Sequence, residues 1–269
     1  MSDYLELHRQ FDPPYESFDN SMLGPDFADE LATVSRLWFA CGYRPGIAAY
    51  LNFFLLRDFI VTHDTAFPPR FQSFRSMADS FYRTDLFIRD VTDSGLKPTG
   101  GISSKNVRAM LKDIMQRHRN ISIPDWMMTH FGFSLTENVE KECAPLTDAD
   151  KRLHLAYMCK AFRIMGVAFS EDRAALEKFS RSIENEQAGL TLDAERHARH
   201  ILLIGEMIGV SSRLDALGAM LPHPTRTIFA GMYERVRPDP LRRNGARLLG
   251  LVLMKRALGK PRKAVPVTD

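Results

Sequence analysis

The sequence predicts an all-α fold, a single multi-helix globular domain. Apolar residues recur at three- and four-residue spacing along segment after segment, as one face of a helix requires. Proline, glycine and helix-capping residues separate those segments. No run alternates apolar and polar residues as a half-buried strand would, and no internal repeat or low-complexity tract is visible.

The elements follow in order. Residues 1–25 form a polar N-terminal lead-in, Pro-rich from Asp12 to Pro25. The spacing of Leu31, Val34, Leu37 and Trp38 predicts a helix over Asp26–Cys41, which Gly42–Gly46 breaks. Pro45 opens a very apolar helix to about His63, and Pro68-Pro69 starts another to about Thr92. The latter has the stripe Phe71, Phe74, Ala78, Phe81, then Thr84 or Asp85, Ile88 and Val91. Gly95–Gly101 is a turn by composition. Ser103 or Ser104 caps a helix ending in His118, and Pro124 begins one that ends before Pro145. Thr147 and Asp150 make a T-x-x-D start to a helix reaching about Ala168. Glu171–Gln187, Leu192–Ile208, Ser211–Leu221, Pro224–Val236 and Pro240–Leu258 follow, Asp239 capping the last. Without a composition break, 26–258 reads as one domain and 259–269 as a polar tail.

Composition excludes several classes. The chain has 269 residues, 45% hydrophobic and 26% charged, ordinary values for a soluble globular protein. A net charge of +3 is too small to argue for nucleic acid. Cys41, Cys143 and Cys159 are odd in number and widely spaced, with no CxxC, so neither a disulfide framework nor a zinc site is suggested. The N-terminus lacks the basic and apolar regions of a signal peptide. The longest apolar stretches are interrupted by Asn52, Arg57 or Glu206, so no transmembrane segment is expected. The expectation is a cytoplasmic protein, at most peripheral to a membrane. The Pro240–Leu258 helix is read as structural, its leucines packing the core, although its arginines would also suit anionic lipid.

His118 carries the most information. Val107, Met110, Leu111, Ile114 and Met115 form one helix face, and His118 is its next position, while Lys105, Arg108, Lys112 and Asp113 lie opposite. An imidazole on such a face needs a partner. A carbonyl or carboxylate would serve, and so would a metal, since neutral imidazole is the commonest metal ligand.

Other chemistries find less support. There is no G-x-S-x-G, no strand before Gly100-Gly101, and no E-x-x-H of a di-iron bundle. His197 and His200, near Glu195, are a conceivable metal pair, but DAERHARH reads as a solvated face. His130 and His154 have no ligand-like neighbours, His63 fits a helix C-terminus, and Cys159 reads as a small core hydrophobe. Thr84, beside Arg83, intrudes on a buried stripe.

The stretch from Arg83 to Phe169 resembles the MpaB / rubber-oxygenase (latex-clearing protein) family. The ordered elements are Arg83-Thr84, then Val91–Leu96, then Val107-Arg108 with Arg117-His118. Ile123, Asp125, Trp126, Met127, Thr129 and Phe131 follow, then Tyr157, Phe162, Met165, Gly166 and Val167. A looser likeness runs from Ala194 to Pro240. The resemblance implies a haem b pocket between helices, with His118 as the iron ligand. Thr84 and Arg83 would line the distal or propionate side. It implies dioxygen activation and oxidation or cleavage of a hydrophobic small-molecule substrate. Rubber-cleaving members are longer and secreted, and carry an arginine where Ser80 stands here. They also use an upstream carboxylate, in whose region Asp64 lies. A small intracellular substrate is therefore expected rather than a polymer. A non-catalytic haem or hydrophobic-ligand-binding helical protein is the competing expectation, and a helical interaction domain without a cofactor is the third.

Overall fold

Helical periodicity translates directly into architecture. The computed structural model describes residues 3–17, 20–42, 44–55, 74–75, 78, 124–186, 192–209 and 214–258. Among these residues there are no strands, and ten α-helices form a single globular arrangement. They are α1 (Asp3–His8), α2 (Phe27–Cys41), α3 (Arg44–Leu55), α4 (Asp125–Glu142) and α5 (Asp148–Ile164). Then come α6 (Arg173–Asn185), α7 (Leu192–Met207), α8 (Leu214–Met220), α9 (His223–Val236) and α10 (Pro240–Leu258).

Local chemistry sets several of the boundaries. Thr147 accepts from the Asp150 amide at 3.1 Å and starts α5, as the T-x-x-D pattern predicts. The Asp172 carboxylate accepts from the amides of Ala174 and Ala175 and starts α6. Asp239 caps α10 through the Arg242 amide at 2.9 Å. The α5 helix stops at Ile164 rather than near Ala168, because Gly166 turns with φ +88° and the chain leaves to pair Phe169 with Asp12.

Two apolar clusters share α4 as their partition. The first joins α1, α2, α4, α5 and α6 around Tyr4, Phe27, Leu37, Phe133, Tyr157 and Phe179. The second joins α3, α7, α8, α9 and α10 around Ile47, Leu51, Ile201, Leu217 and Phe229, with Met127 reaching over from α4. Trp126 and Phe131 of α4 pack against both. The helices α2 and α5 run antiparallel: Glu30 pairs with Lys160 and Arg36 with Asp150, so rising numbers on one meet falling numbers on the other.

Two expectations change. The lead-in is part of the globule, since Tyr4, Phe11 and Leu23 are buried in the first cluster. Its α1 is six residues long, too short to display a period. Of the α10 leucines, Leu253 packs against the second cluster, but Leu241, Leu248, Leu249 and Leu251 do not. Ala246 is buried, Gly250 lies against α7, and Leu253 is partly buried, whereas Leu241, Leu248 and Leu251 are exposed. A β-carbon on Gly250 would lie 1.9 Å from the Met207 carbonyl oxygen, so α10 approaches α7 on small residues. Arg243 and Arg247 then reach the buried Glu206 of α7 at 2.9 and 2.7 Å.

Candidate functional site

His118, Thr84, Arg83, Asp64 and His63 lie outside the described residues. Phe74 and Ala78, on the same expected helix as Arg83 and Thr84, are described. Ala78 is buried in the second cluster, and Phe74 meets the His200 ring edge-on, centroids 5.7 Å apart. Of the expected stripe, Phe74 and Ala78 therefore pack in the second cluster, which α3 and α7 also build.

His197 and His200 are not on a solvated face. His197 is buried, His200 is half-buried, and Ala198, Ile201, Leu202 and Ile204 are buried beside them. Of the charges in DAERHARH, Glu195 pairs with Arg235 at 2.8 Å and Arg196 is exposed. The two imidazoles stand 6.4 Å apart, nearly perpendicular. Burial, then the neighbouring His197, Arg196 and Arg199, lowers the His200 pKa to about 4, so it is neutral at physiological pH. Its Nδ1 is buried without a hydrogen-bond partner among the described residues. A neutral imidazole with an unpartnered nitrogen, walled by aliphatic side chains and an aromatic ring, is chemically suited to an apolar ligand or a soft cation. Among the described residues no three His, Cys, Asp or Glu side chains group as a metal site.

A second polar centre ties α3, α4 and α6 together. His130 Nδ1 donates to Ser180 Oγ at 2.6 Å, because its Nε2 accepts from Asn52 Nδ2 at 3.2 Å. Asn52 also reaches Ser134 Oγ at 3.4 Å. Glu184 stands 4.0 Å from His130 Nε2 and takes 2.7 Å hydrogen bonding from Arg181, which also pairs with Glu137. Serine, histidine and carboxylate here suggest a nucleophilic triad only in name. Ser180 is fully buried, the acid is beyond hydrogen-bond reach, and Asn52 already occupies Nε2. Burial, reinforced by Arg181, lowers the His130 pKa to about 3, so the imidazole is a neutral crosslink between helices.

Helices α2 and α5 carry several unpartnered polar atoms. Glu30 Oε2, Trp38 Nε1, Tyr157 Oη and both ring nitrogens of His154 are buried without hydrogen-bond partners among the described residues. His154 is fully buried, and desolvation lowers its pKa to about 4. The signal was in the sequence: His154, Tyr157, Met158, Ala161 and Phe162 recur at i, i+3, i+4, i+7, i+8. The His130 centre had no such signal, because its partners come from positions 52, 180 and 184. Cys159 is buried as a small hydrophobe, its thiol pushed up to about 12 first by desolvation.

Near the N-terminus, His8 Nε2 meets Thr129 Oγ1 at 2.9 Å and Asp125 at 4.0 Å. Thr129 donates to the Ala168 carbonyl and Asp125 accepts the Ala168 amide. This closes the Phe169 segment onto α4 and explains Asp125 and Thr129 structurally.

In comparisons with known proteins, no family model, curated protein or solved structure matches this chain.

Proposed function

We propose that the chain is a haem b-dependent, oxygenase-like protein that uses dioxygen to oxidise or cleave a hydrophobic small molecule. The ordered set from Arg83-Thr84 through Arg117-His118 to Gly166 carries this reading by its resemblance to rubber oxygenases. One observation on the described residues supports this reading. The helix expected to carry Thr84 packs Phe74 and Ala78 against the aliphatic faces of α3 and α7, and the His200 nitrogen there has no partner among the described residues.

The roles divide by chemistry. His118 would hold the iron through a neutral imidazole. The Thr84 hydroxyl would donate or accept one hydrogen bond and so orient a small polar ligand. Arg83 would pair with a propionate carboxylate. The aliphatic wall excludes water and suits a hydrophobic substrate. When bound, the haem supplies the redox-active iron that dioxygen chemistry needs.

The absorption spectrum of the haem-reconstituted protein tests this. A Soret band is expected in the wild type. It should vanish or shift strongly in His118→Ala while far-ultraviolet dichroism stays helical. A wild type that takes up no haem ends the reading. A spectrum unchanged in His118→Ala and lost in His200→Ala moves the ligand to α7. Oxygen uptake with hydrophobic alkenes separates turnover from mere haem carriage. Thr84→Val removes only a hydroxyl, so it should leave haem retention intact and change azide affinity and turnover. Unchanged azide affinity would return Thr84 to a backbone-bonded role.

A further inference from the structure

The α10 helix is amphipathic in the inverse sense. Its inward positions are Ala246, Gly250 and Leu253, spaced i, i+4, i+7, and its anchoring comes from Arg243 and Arg247 on Glu206. Five of its large apolar side chains point outward. Leu241 is 81% exposed, Leu248 and Leu251 63%, Val252 48% and Leu249 39%. Leu241, Leu248 and Val252 stand at i, i+7, i+11, which aligns them in one outward stripe. The only other large hydrophobic side chain so exposed among the described residues is Phe39, on α2. Isolated exposed leucines are ordinary, but a contiguous stripe on one helix marks a contact surface.

Charge indicates what the contact is. Residues 240–269 contain eight lysines and arginines and one acidic residue, Asp269. Asp239 bonds Arg242, and Glu206 takes Arg243 and Arg247. With those two carboxylates counted, an excess of five positive charges remains. No described helix is long and apolar enough to cross a membrane. We propose that α10 lies flat on an anionic lipid surface, with Leu241, Leu248, Leu251 and Val252 entering the headgroup–acyl boundary. The flanking arginines and lysines would meet lipid phosphates. Leucines inserted at the boundary with basic residues beside them are the recognised physical basis of in-plane membrane helices.

Co-sedimentation of the full chain with vesicles tests this, using phosphatidylcholine alone and phosphatidylcholine mixed with phosphatidylglycerol. The wild type should pellet with the mixed vesicles, weakly or not with the neutral ones, and less as salt rises. Leu248→Glu with Val252→Glu should lower the binding constant at least about tenfold, since two apolar insertions are lost and two negative charges added. The melting temperature should hold, because both side chains are exposed. Leu241→Glu alone, at the most exposed position, should weaken binding in the same direction. A wild type that stays in the supernatant overturns the proposal, as does equal binding by wild type and variants. So does a wild-type dimer that the substitutions dissociate without any vesicle capture, which would make a second copy the occupant.

Discussion

Acidification from pH 6.5 to about 4 should remove several kcal/mol of stability, a large share of the ~5–15 kcal/mol typical of a domain. Burial holds the folded pKa of His154 at about 4 and of His130 at about 3, against 6.5 unfolded. Between those values the unfolded chain binds protons that the folded chain refuses, so stability falls as pH falls. Above pH 6.5 both imidazoles are neutral in either state and cost nothing in ionisation. At ~1.4 kcal/mol per pKa unit, His154 alone accounts for a loss on the order of 3 kcal/mol by pH 4. Three buried or partly buried carboxyls push the other way. Desolvation raises Glu30 and Glu184 and lifts Asp125 to about 6, so the folded state gains protons there first. Lys160 and Arg181 hold the first two shifts down, and His8 and His200, each lowered to about 4, add to the histidine loss, which wins. Urea midpoints measured from pH 7 to pH 4 read the slope directly; a flat profile above pH 4.5 would sink the argument. His154→Leu isolates the larger point. It removes two unpartnered nitrogens at similar volume and should stabilise the neutral protein by about 1–3 kcal/mol. It should also flatten the acid slope. An unchanged slope in that variant would mean His154 is solvated in the folded state.

The same residue shows how far the sequence could be read. Helix periodicity, T-x-x-D at Thr147 and Asp239 before Pro240 were local signals, and the structure carries them as α5 and α10 with those caps. His154 sat on an apolar face by the spacing that singled out His118, yet only His118 stood at the end of an uninterrupted stripe. Contacts across the chain were beyond reach. His130 takes its partners from Asn52 and Ser180, and no spacing in a single helix encodes that. His197 and His200 were hidden by the charged residues that alternate with them in the sequence. In α10 the stripe was legible but its direction was not. Which side faces inward is decided by Gly250 and Ala246, where closeness of approach outweighs side-chain size. The candidate haem residues between Asp64 and His118 stand as sequence expectations, outside the described residues.

Gly132→Val should be the most damaging single core substitution in α4. Gly132 lies beneath the stacked rings of Phe162 and Phe169, whose centroids are 5.0 Å apart with planes 26° from parallel. A β-carbon there would stand 2.6 Å from Phe162 Cζ and 2.7 Å from Phe169 Cε2. Neither ring has room to retreat. Both are buried in the first cluster, and the Phe169 amide is held by the Asp12 carbonyl at 3.1 Å. Alanine at a helix interior ordinarily gains ~1 kcal/mol over glycine. Overpacking a filled core costs ~1–3 kcal/mol, so Gly132→Ala should be neutral to destabilising by up to ~2 kcal/mol. Valine adds two methyl groups and a stiff branched rotamer, and should cost about 3 kcal/mol or more. Gly231 of α9 supplies the control. It is exposed, and a β-carbon added there would meet nothing within 4 Å, so Gly231→Ala should stabilise by up to ~1 kcal/mol. Denaturant midpoints of the three variants therefore separate helix propensity from packing. If Gly132→Val unfolds at the wild-type midpoint, the rings are free to move and the first cluster is looser than its burial implies.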